Sequence, residues 1–390
     1  MQQVTVIGGG LAGLIAASEA AERGASVRLL EARSRLGGRA STLPGPYKAN
    51  LGPHALYTGT ALWDWLSTRA LERPFGRPRP TGIRFHWQGE VRRTPPAALL
   101  RTRKLRGRPA PVDRSFHDWV AEHCGDDTAQ ALSGAAGVLT FDPDPGRLSA
   151  AFVWERYQRI ILHAASPARY VTGGWGAFVD RLVAHATLVG VRIECGAKVD
   201  SLDDVDGPTI VAVEPGAARR LLGDTSLRPE TPKVALLDLG LTARRGDPYI
   251  VSDLDHGAFI DRYTAIDPTI APEGESLVQM SMGMRPDEHL DDAVARLEAI
   301  LDPSFTGWRD RTTWHRRAAV QESTGAVDLP GSTWRDRTPI AYAQGVWLAG
   351  DWVAAPGHLA EVSCASAVAA AAAACGQHDA SVAGLVGTPQ

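Results

Sequence analysis

Residues 4–39 read VTVIGGGLAGLIAASEAAERGASVRLLEARSRLGGR, a strand, a glycine turn, a helix, a second strand and an acid in unbroken order. Val4, Thr5, Val6 and Ile7 form a β-branched run, as expected of a parallel strand buried on both faces. Gly8, Gly10 and Gly13 follow as GxGxxG. The first glycine allows the tight turn, the second lets backbone N–H groups approach a pyrophosphate, and the third lets the next helix pack closely on the strand. Leu11 to Arg23 is rich in Ala and Leu and free of proline, so a helix is predicted to begin at Leu11 and Ala12 with its positive end toward the phosphates. Gly24 ends it. Ser26 to Leu30 then reads as a second strand that delivers Glu31, followed by Ala32 and Arg33, to the distance at which a carboxylate meets an adenosine ribose.

The continuation Arg35-Leu36-Gly37-Gly38-Arg39 points to FAD rather than NAD, because it lets a second glycine loop and guanidinium donors reach the same pyrophosphate. From Gly8 to Arg39 the chain resembles the flavin-containing amine oxidase, protoporphyrinogen oxidase and phytoene desaturase superfamily. Three later segments resemble it too. Tyr170 to Asp200 is similar to the return from the substrate domain, and the resemblance implies that the backbone of Val199 meets the adenine. Val346 to Val353, VWLAGDWV, is similar to the C-terminal flavin motif, which implies that Gly350 and Asp351 lie at the ribityl chain. Glu361, Val362 and Ser363 open an alanine-rich helix reaching Ala374, where the resemblance implies backbone N–H groups facing the flavin pyrimidine. Gly52 and Pro53 match the place where the chain passes the flavin ring.

The fold class expected is α/β. A Rossmann-type FAD-binding domain would comprise residues 1–74, 170–230 and 335–390. A discontinuous second, substrate-binding domain of mixed sheet plus helices would comprise 75–169 and 231–334. Strands are predicted over Lys233 to Leu241 and Ser276 to Met282, and a helix over Asp287 to Leu301 with its acids in the first turn. Ser115 reads as the N-cap of a helix that turns Trp119 and Val120 inward. Trp154, Tyr157 and Ile161, at helical spacing, read as core, as do the tryptophans Trp314, Trp334 and Trp352 near the last segment; His315 and Arg316 lie beside the first of these.

The length of 390 residues suits two domains, and 44% hydrophobic and 22% charged residues are ordinary for a soluble globular chain. A net charge of −3 gives no pull toward nucleic acid. The four cysteines Cys124, Cys195, Cys364 and Cys375 have neither disulfide-framework nor zinc spacing. With the first strand opening at Val4 no leader is expected, and the apolar run Ala365 to Cys375 is too short to span a bilayer. A cytoplasmic bacterial enzyme is the expectation. Between Arg77 and Arg108 nine arginines and Lys104 face one acid, Glu90. Three readings apply: a solvated mobile loop, a funnel for an anionic substrate, or a contact with a membrane surface, the last not favoured.

Within Asn50-Leu51-Gly52-Pro53-His54-Ala55-Leu56-Tyr57, His54 and Tyr57 are the candidate catalytic residues, since the resemblance places them near the reacting flavin face. His54 is also a candidate flavin contact. His358 is a second, poorer candidate. The only lysines are Lys48, Lys104, Lys198 and Lys233, none at the flavin-facing position of the amine-oxidising branch. No cysteine lies between Cys195 and Cys364, so FAD is expected to be noncovalent, and no metal site is expected. The resemblance implies hydride transfer from a small, largely apolar organic substrate to flavin N5, with oxygen or a quinone as electron acceptor. A redox-neutral isomerase or mutase and an amine oxidase are the alternatives.

Overall fold

The computed structural model describes residues 2–52, 55–162, 166–322 and 324–376, and three sheets organise them. The first strand, Gln3–Ile7, lies inside a six-stranded sheet, parallel to Ser26–Glu31 on one side and to Thr209–Val211 on the other. Arg192–Cys195 extends the sheet beyond Ser26–Glu31, and Val346–Leu348 extends it beyond Thr209–Val211, both parallel; Ala341–Ala343 closes that side antiparallel. Burial on both faces explains the β-branched run: Val4, Thr5 and Val6 are fully buried.

Helix Leu11–Glu22 returns over this sheet and packs against helix Ala360–Ala374. Ala16, Ala17 and Ala20 on the first and Ala367, Ala370 and Ala371 on the second belong to one buried cluster. Small side chains on both partners let the two backbones approach, which is why alanine dominates both segments. Helix Gly174–Leu188 joins them through Trp175, Phe178 and Leu182.

The second sheet has seven strands, in the order Thr312–Val320, Val234–Thr242, Glu275–Gly283, Phe259–Arg262, Ile250–Asp253, Ile83–Trp87 and Glu90–Arg92. It is mixed: Ile250–Asp253 runs parallel to Ile83–Trp87, and every other pairing is antiparallel. Helix Leu290–Ser304 covers one face, burying Val294, Leu297 and Leu301 against Leu237, Leu239 and Met280. That helix starts three residues later than the periodicity predicts. Asp287 adopts a left-handed φ of 59°, and Glu288 is diverted to Arg296 and to the Arg285 N–H, so Asp291 and Asp292 are the acids of the first turn. A third, small sheet pairs Ala168–Val171 with Ala55–Tyr57 and Phe75–Gly76.

The basic stretch 77–108 is more ordered than a solvated loop. It supplies two strands of the seven-stranded sheet, the short helix Ala97–Leu100 and a 3-10 turn over Arg101–Leu105, with Leu105 buried. Ser115 caps helix Phe116–Cys124 by accepting from the Asp118 N–H, and Trp119 and Val120 are buried as predicted.

One buried amide connects the loop at Asn50, and through it helix Gly174–Leu188, to the seven-stranded sheet. The Asn50 N–H donates to Gln279 Oε1 at 3.2 Å, and Gln279 Nε2 donates to the Asn50 carbonyl at 3.0 Å and to Asp238 Oδ1 at 3.1 Å. The Asn50 side-chain oxygen accepts from Trp175 N–H at 2.9 Å and lies 3.1 Å from Thr42 Oγ1. Replacing Gln279 with Leu strands both backbone groups of Asn50 away from water. Gln279→Leu is expected to cost roughly 2–4 kcal/mol by urea unfolding, since each buried group left without a partner costs its desolvation. A loss below about 0.5 kcal/mol would show that the amide pair does not hold the halves together.

Candidate functional site

The carboxyl ends of the parallel strands open into a cavity of about 1400 Å³, whose opposite wall is the seven-stranded sheet. Ile7, Leu30 and Val213 mark the strand ends, and Leu236, Ile250 and Phe259 belong to the facing wall. Ligands of open α/β sheets bind at such strand ends. The volume exceeds the roughly 300–1,000 Å³ typical of single small-ligand pockets, so a dinucleotide and a second molecule fit together.

Most of the predicted cofactor residues line this cavity. Gly8, Gly10, Leu11 and Ala12 form its floor, with Glu31, Ala32 and Arg33 at the end of the second strand. Gly37, Gly38 and Arg39 face them, and Gly52, Val199, Gly350 and Asp351 come in from three other segments. Of the helix opening, Glu361 and Ser363 line the cavity, whereas Val362 points into a separate small void and is not part of this wall. Gly13 lies behind the wall: a Cβ there would stand 1.8 Å from the Gly8 carbonyl oxygen, the close helix–strand packing its position predicts. Pro53 and His54 fall outside the described residues.

Gly10 behaves in the opposite way. A Cβ at Gly10 would meet no atom within 4 Å, although the residue lines the cavity. The protein's own packing does not require glycine there; a group lying against the backbone would. An FAD pyrophosphate is such a group, and the surrounding donors suit it.

The charged residues are more tightly engaged than the sequence suggests. Glu31 Oε2 accepts from Gly9 N–H at 2.7 Å and Oε1 from Arg33 N–H at 2.8 Å, which fixes the carboxylate while leaving lone pairs for a ribose. Arg39 and Asp351, expected to serve separate parts of the cofactor, are paired at 2.8 Å, and Arg39 also donates to the Glu322 carbonyl. Glu361 accepts from Ala61 N–H, His358 N–H and Arg159, so its side chain ties the helix start to its surroundings. Contrary to expectation, the N–H groups of Glu361 and Val362 already bond the carbonyls of His358 and Leu359. A 3-10 first turn absorbs them. Leu359, at a φ of 52°, makes the bend into the helix and lines the cavity.

His358 is 4% exposed and lines the cavity, and neither ring nitrogen has a hydrogen-bond partner among the described residues. Burial, reinforced by the guanidiniums of Arg156, Arg159 and Arg337, pushes its imidazole down to about 2. Its Nε2 lies 3.6 Å from the Glu155 carboxylate, beyond hydrogen-bond distance, so it is a neutral ring at the cavity wall with hydrogen-bonding capacity to spare, a second observation that fits a bound cofactor.

Tyr57 and Tyr170 from the small sheet and Tyr249 beside the seven-stranded one line the cavity near a fully buried Asp261. Burial pushes the Asp261 carboxyl up to about 7, against the opposing pull of Tyr170 and Arg262. Burial and the Asp261 charge push Tyr57 up to about 12, so the candidate catalytic tyrosine is a hydroxyl donor at neutral pH rather than a base. Asp261 and Tyr249 carry no motif, and sequence reading missed them; the sequence marks Tyr170 only as the start of the return segment. Tyr157 is both core and cavity wall, while Ile161, expected to be buried, is 45% exposed at the cavity. Of the residues near the last segment, Trp352 lines the cavity, whereas Trp314 stacks on Tyr47, Arg316 pairs with buried Asp238 and Trp334 lies under Arg335.

Comparison with known proteins fits this geometry. Residues 6–68 match the model of the NAD(P)-binding Rossmann-like domain. No curated protein sequence matches the chain. Among solved structures, an oxidoreductase from Methanosarcina mazei superposes with a TM-score of 0.75 at 15% identity, covering 94% of this chain and 99% of its own. Cyclohexylamine oxidase from Brevibacterium oxydans gives 0.71 at 16% identity, over 96% of this chain and 99% of its own. Reduced UDP-galactopyranose mutase gives 0.72 at 13% identity, over 96% and 94%. The chain shares its overall fold with these three structures. Cys364, expected to be a small buried residue, is 1% exposed on helix Ala360–Ala374 with its thiol pushed up to about 12 by burial. No helix among the described residues is long and apolar enough to cross a membrane.

Two consequences can be measured on the protein without cofactor. Gly13→Ala should destabilise it by roughly 2–3 kcal/mol through overpacking against the Gly8 carbonyl, whereas Gly10→Ala should unfold within about 0.5 kcal/mol of the parent. Equal losses would contradict the open face at Gly10. Asp261 keeps its proton in the folded state up to about pH 7 but loses it near 4 when unfolded, so its burial costs stability progressively as pH rises from about 4 to about 7, and the cost is constant above that. Asp261→Asn should therefore raise Tm above pH 7 by several degrees relative to the parent. The gap should shrink on acidification below about pH 7 and close only near pH 4.

Proposed function

We propose that this chain is a flavin-dependent oxidoreductase that binds FAD noncovalently and acts on a small, largely apolar organic molecule. The open face of Gly10, set in one cavity with Glu31, Arg39, Asp351 and the helix beginning at Ala360, carries the assignment. The proposed division of labour gives residues 1–74, 170–230 and 335–390 to the cofactor, and 75–169 and 231–334 to the substrate. No cysteine is among the cavity-lining residues described, which supports noncovalent binding.

Gly8, Gly10, Leu11 and Ala12 would present backbone to the pyrophosphate, with Gly37, Gly38 and the guanidinium of Arg39 opposite. Glu31, Ala32, Arg33 and Val199 would hold the adenosine end. Gly52, Gly350, Asp351, Glu361 and Ser363 would hold the flavin end, where His358 offers an uncharged hydrogen bond. Bound FAD supplies a two-electron acceptor for hydride leaving a substrate carbon. The chain's own work is to orient that carbon and exclude water. Leu236, Phe259 and Tyr157 supply apolar wall for the purpose, and Tyr57 holds a hydroxyl donor beside it. The similarity to a mutase structure supports a second reading, in which the same cavity serves a redox-neutral rearrangement.

The visible spectrum of the purified protein tests the assignment. Oxidised-flavin bands are expected, with all of the flavin released on acid denaturation, and Asp351→Ala should lower flavin occupancy about ten-fold or more. A parent protein that takes up no flavin would sink the assignment. Anaerobic bleaching by an added compound identifies net oxidation, while turnover of a compound without net redox change identifies the second reading.

A further inference from the structure

The cavity has two electrostatically different ends. Its carboxylates, Glu31, Asp200, Glu214 and Asp351, belong to the segments proposed to hold the nucleotide, and Glu361 is taken up by Arg159 and two backbone N–H groups. The substrate end contains no other carboxylate among the described lining residues. Its wall is apolar, with Ile83, Phe85, Leu99, Phe141, Leu236 and Phe259. At its mouth stands Arg79, exposed to solvent and lining the cavity between Pro78 and Pro80.

Arg79 is one of a group of like charges. In the small sheet Gly76 is paired with Tyr170, so Arg77 and Arg169 are the next residues outward on the two chains, close enough for the charge of one to act on the other. Burial and Arg77 together hold the Arg169 guanidinium below its usual range, and burial and Arg79 do the same to Arg262 despite Asp247. Arg169 donates to the carbonyls of Ser166 and Ala168, and no described carboxylate forms an ion pair with Arg77, Arg79 or Arg169. Alternation with proline in Arg77-Pro78-Arg79-Pro80 restricts the backbone, so an anion bound there would require little further ordering.

We propose that the substrate is an apolar molecule bearing a carboxylate, which Arg79, supported by Arg77 and Arg169, holds at the cavity mouth while the apolar body lies against the facing sheet. The proposal rests on the oxidoreductase reading for what becomes of the substrate, and on the mouth alone for its charge. It opposes an amine substrate, whose cation would meet these arginines without a carboxylate to offset them.

Octanoate, octylamine and octanol share one apolar tail and differ in head-group charge. Calorimetric titration of the protein with FAD in excess, at constant physiological ionic strength, should show octanoate binding about ten-fold or more tighter than the other two. Arg77→Gln/Arg79→Gln should remove that preference while leaving octanol affinity unchanged, and Arg79→Lys alone should retain part of it. Equal affinities, no octanoate binding, preference for the amine, or a preference that survives the double variant would overturn the proposal. Binding to phosphatidylglycerol vesicles in place of free octanoate, lost in the same variant, would overturn it in favour of a membrane surface. A protein that takes up no flavin yet shows the arginine-dependent preference defeats the oxidoreductase reading and leaves the anionic head group standing; flavin bands without the preference do the reverse.

Discussion

The reciprocal pair between the Asn50 backbone and the Gln279 side chain is the constraint on which the cavity geometry depends. Both partners are buried, and Gln279 passes the connection on to Asp238, which is itself paired with Arg316 at 2.7 Å. On the other side Asn50 accepts from the first turn of helix Gly174–Leu188. Polar groups in a buried network tolerate little displacement, because each lost partner leaves a desolvated donor or acceptor. The relative position of the two cavity walls is thereby fixed by directional bonds in addition to apolar contact.

Charge is distributed along the cavity in the same purposeful way. Three of the negative groups near the six-stranded sheet are neutralised or occupied: Asp351 by Arg39, Glu31 by two N–H groups, Glu361 by Arg159. In the middle, His358 and Asp261 are buried ionisable groups whose environments favour their uncharged forms. At the mouth Arg77, Arg79 and Arg169 have no carboxylate partner among the described residues. A low-dielectric centre between a satisfied end and an unsatisfied end suits chemistry that moves a hydride, for which stray charge and water are the main hazards.

Much of the nucleotide half was legible because its constraints are local. Gly8, Gly10, Gly13 and Glu31 lie within one strand–helix–strand unit, where each residue type follows from a backbone requirement visible over a few positions. Val199 and Asp351 became legible only through resemblance to a family, since nothing in their own neighbourhoods demands them. The facing wall was not legible. Asp261 and Tyr249 come together because Ile250–Asp253 and Phe259–Arg262 pair in a particular register, and burial then decides their protonation; neither register nor burial can be read from a four-residue strand. The same limit explains the reading of Arg39 and Asp351 as separate contacts, since 312 positions separate them in the chain.

The connectivity of the six-stranded sheet bears on how the chain comes into being. Its first strand is flanked by Thr209–Val211, and that strand in turn by Val346–Leu348. During synthesis the hydrophobic strand Gln3–Ile7 therefore emerges with one side unpaired until more than half of the chain has followed. Helix Ala360–Ala374, against which the first helix packs, comes later still. Contacts of such long sequence separation form slowly and leave apolar edges exposed meanwhile. A ligand bound to the folded chain and touching both early and late segments stabilises their association by mass action.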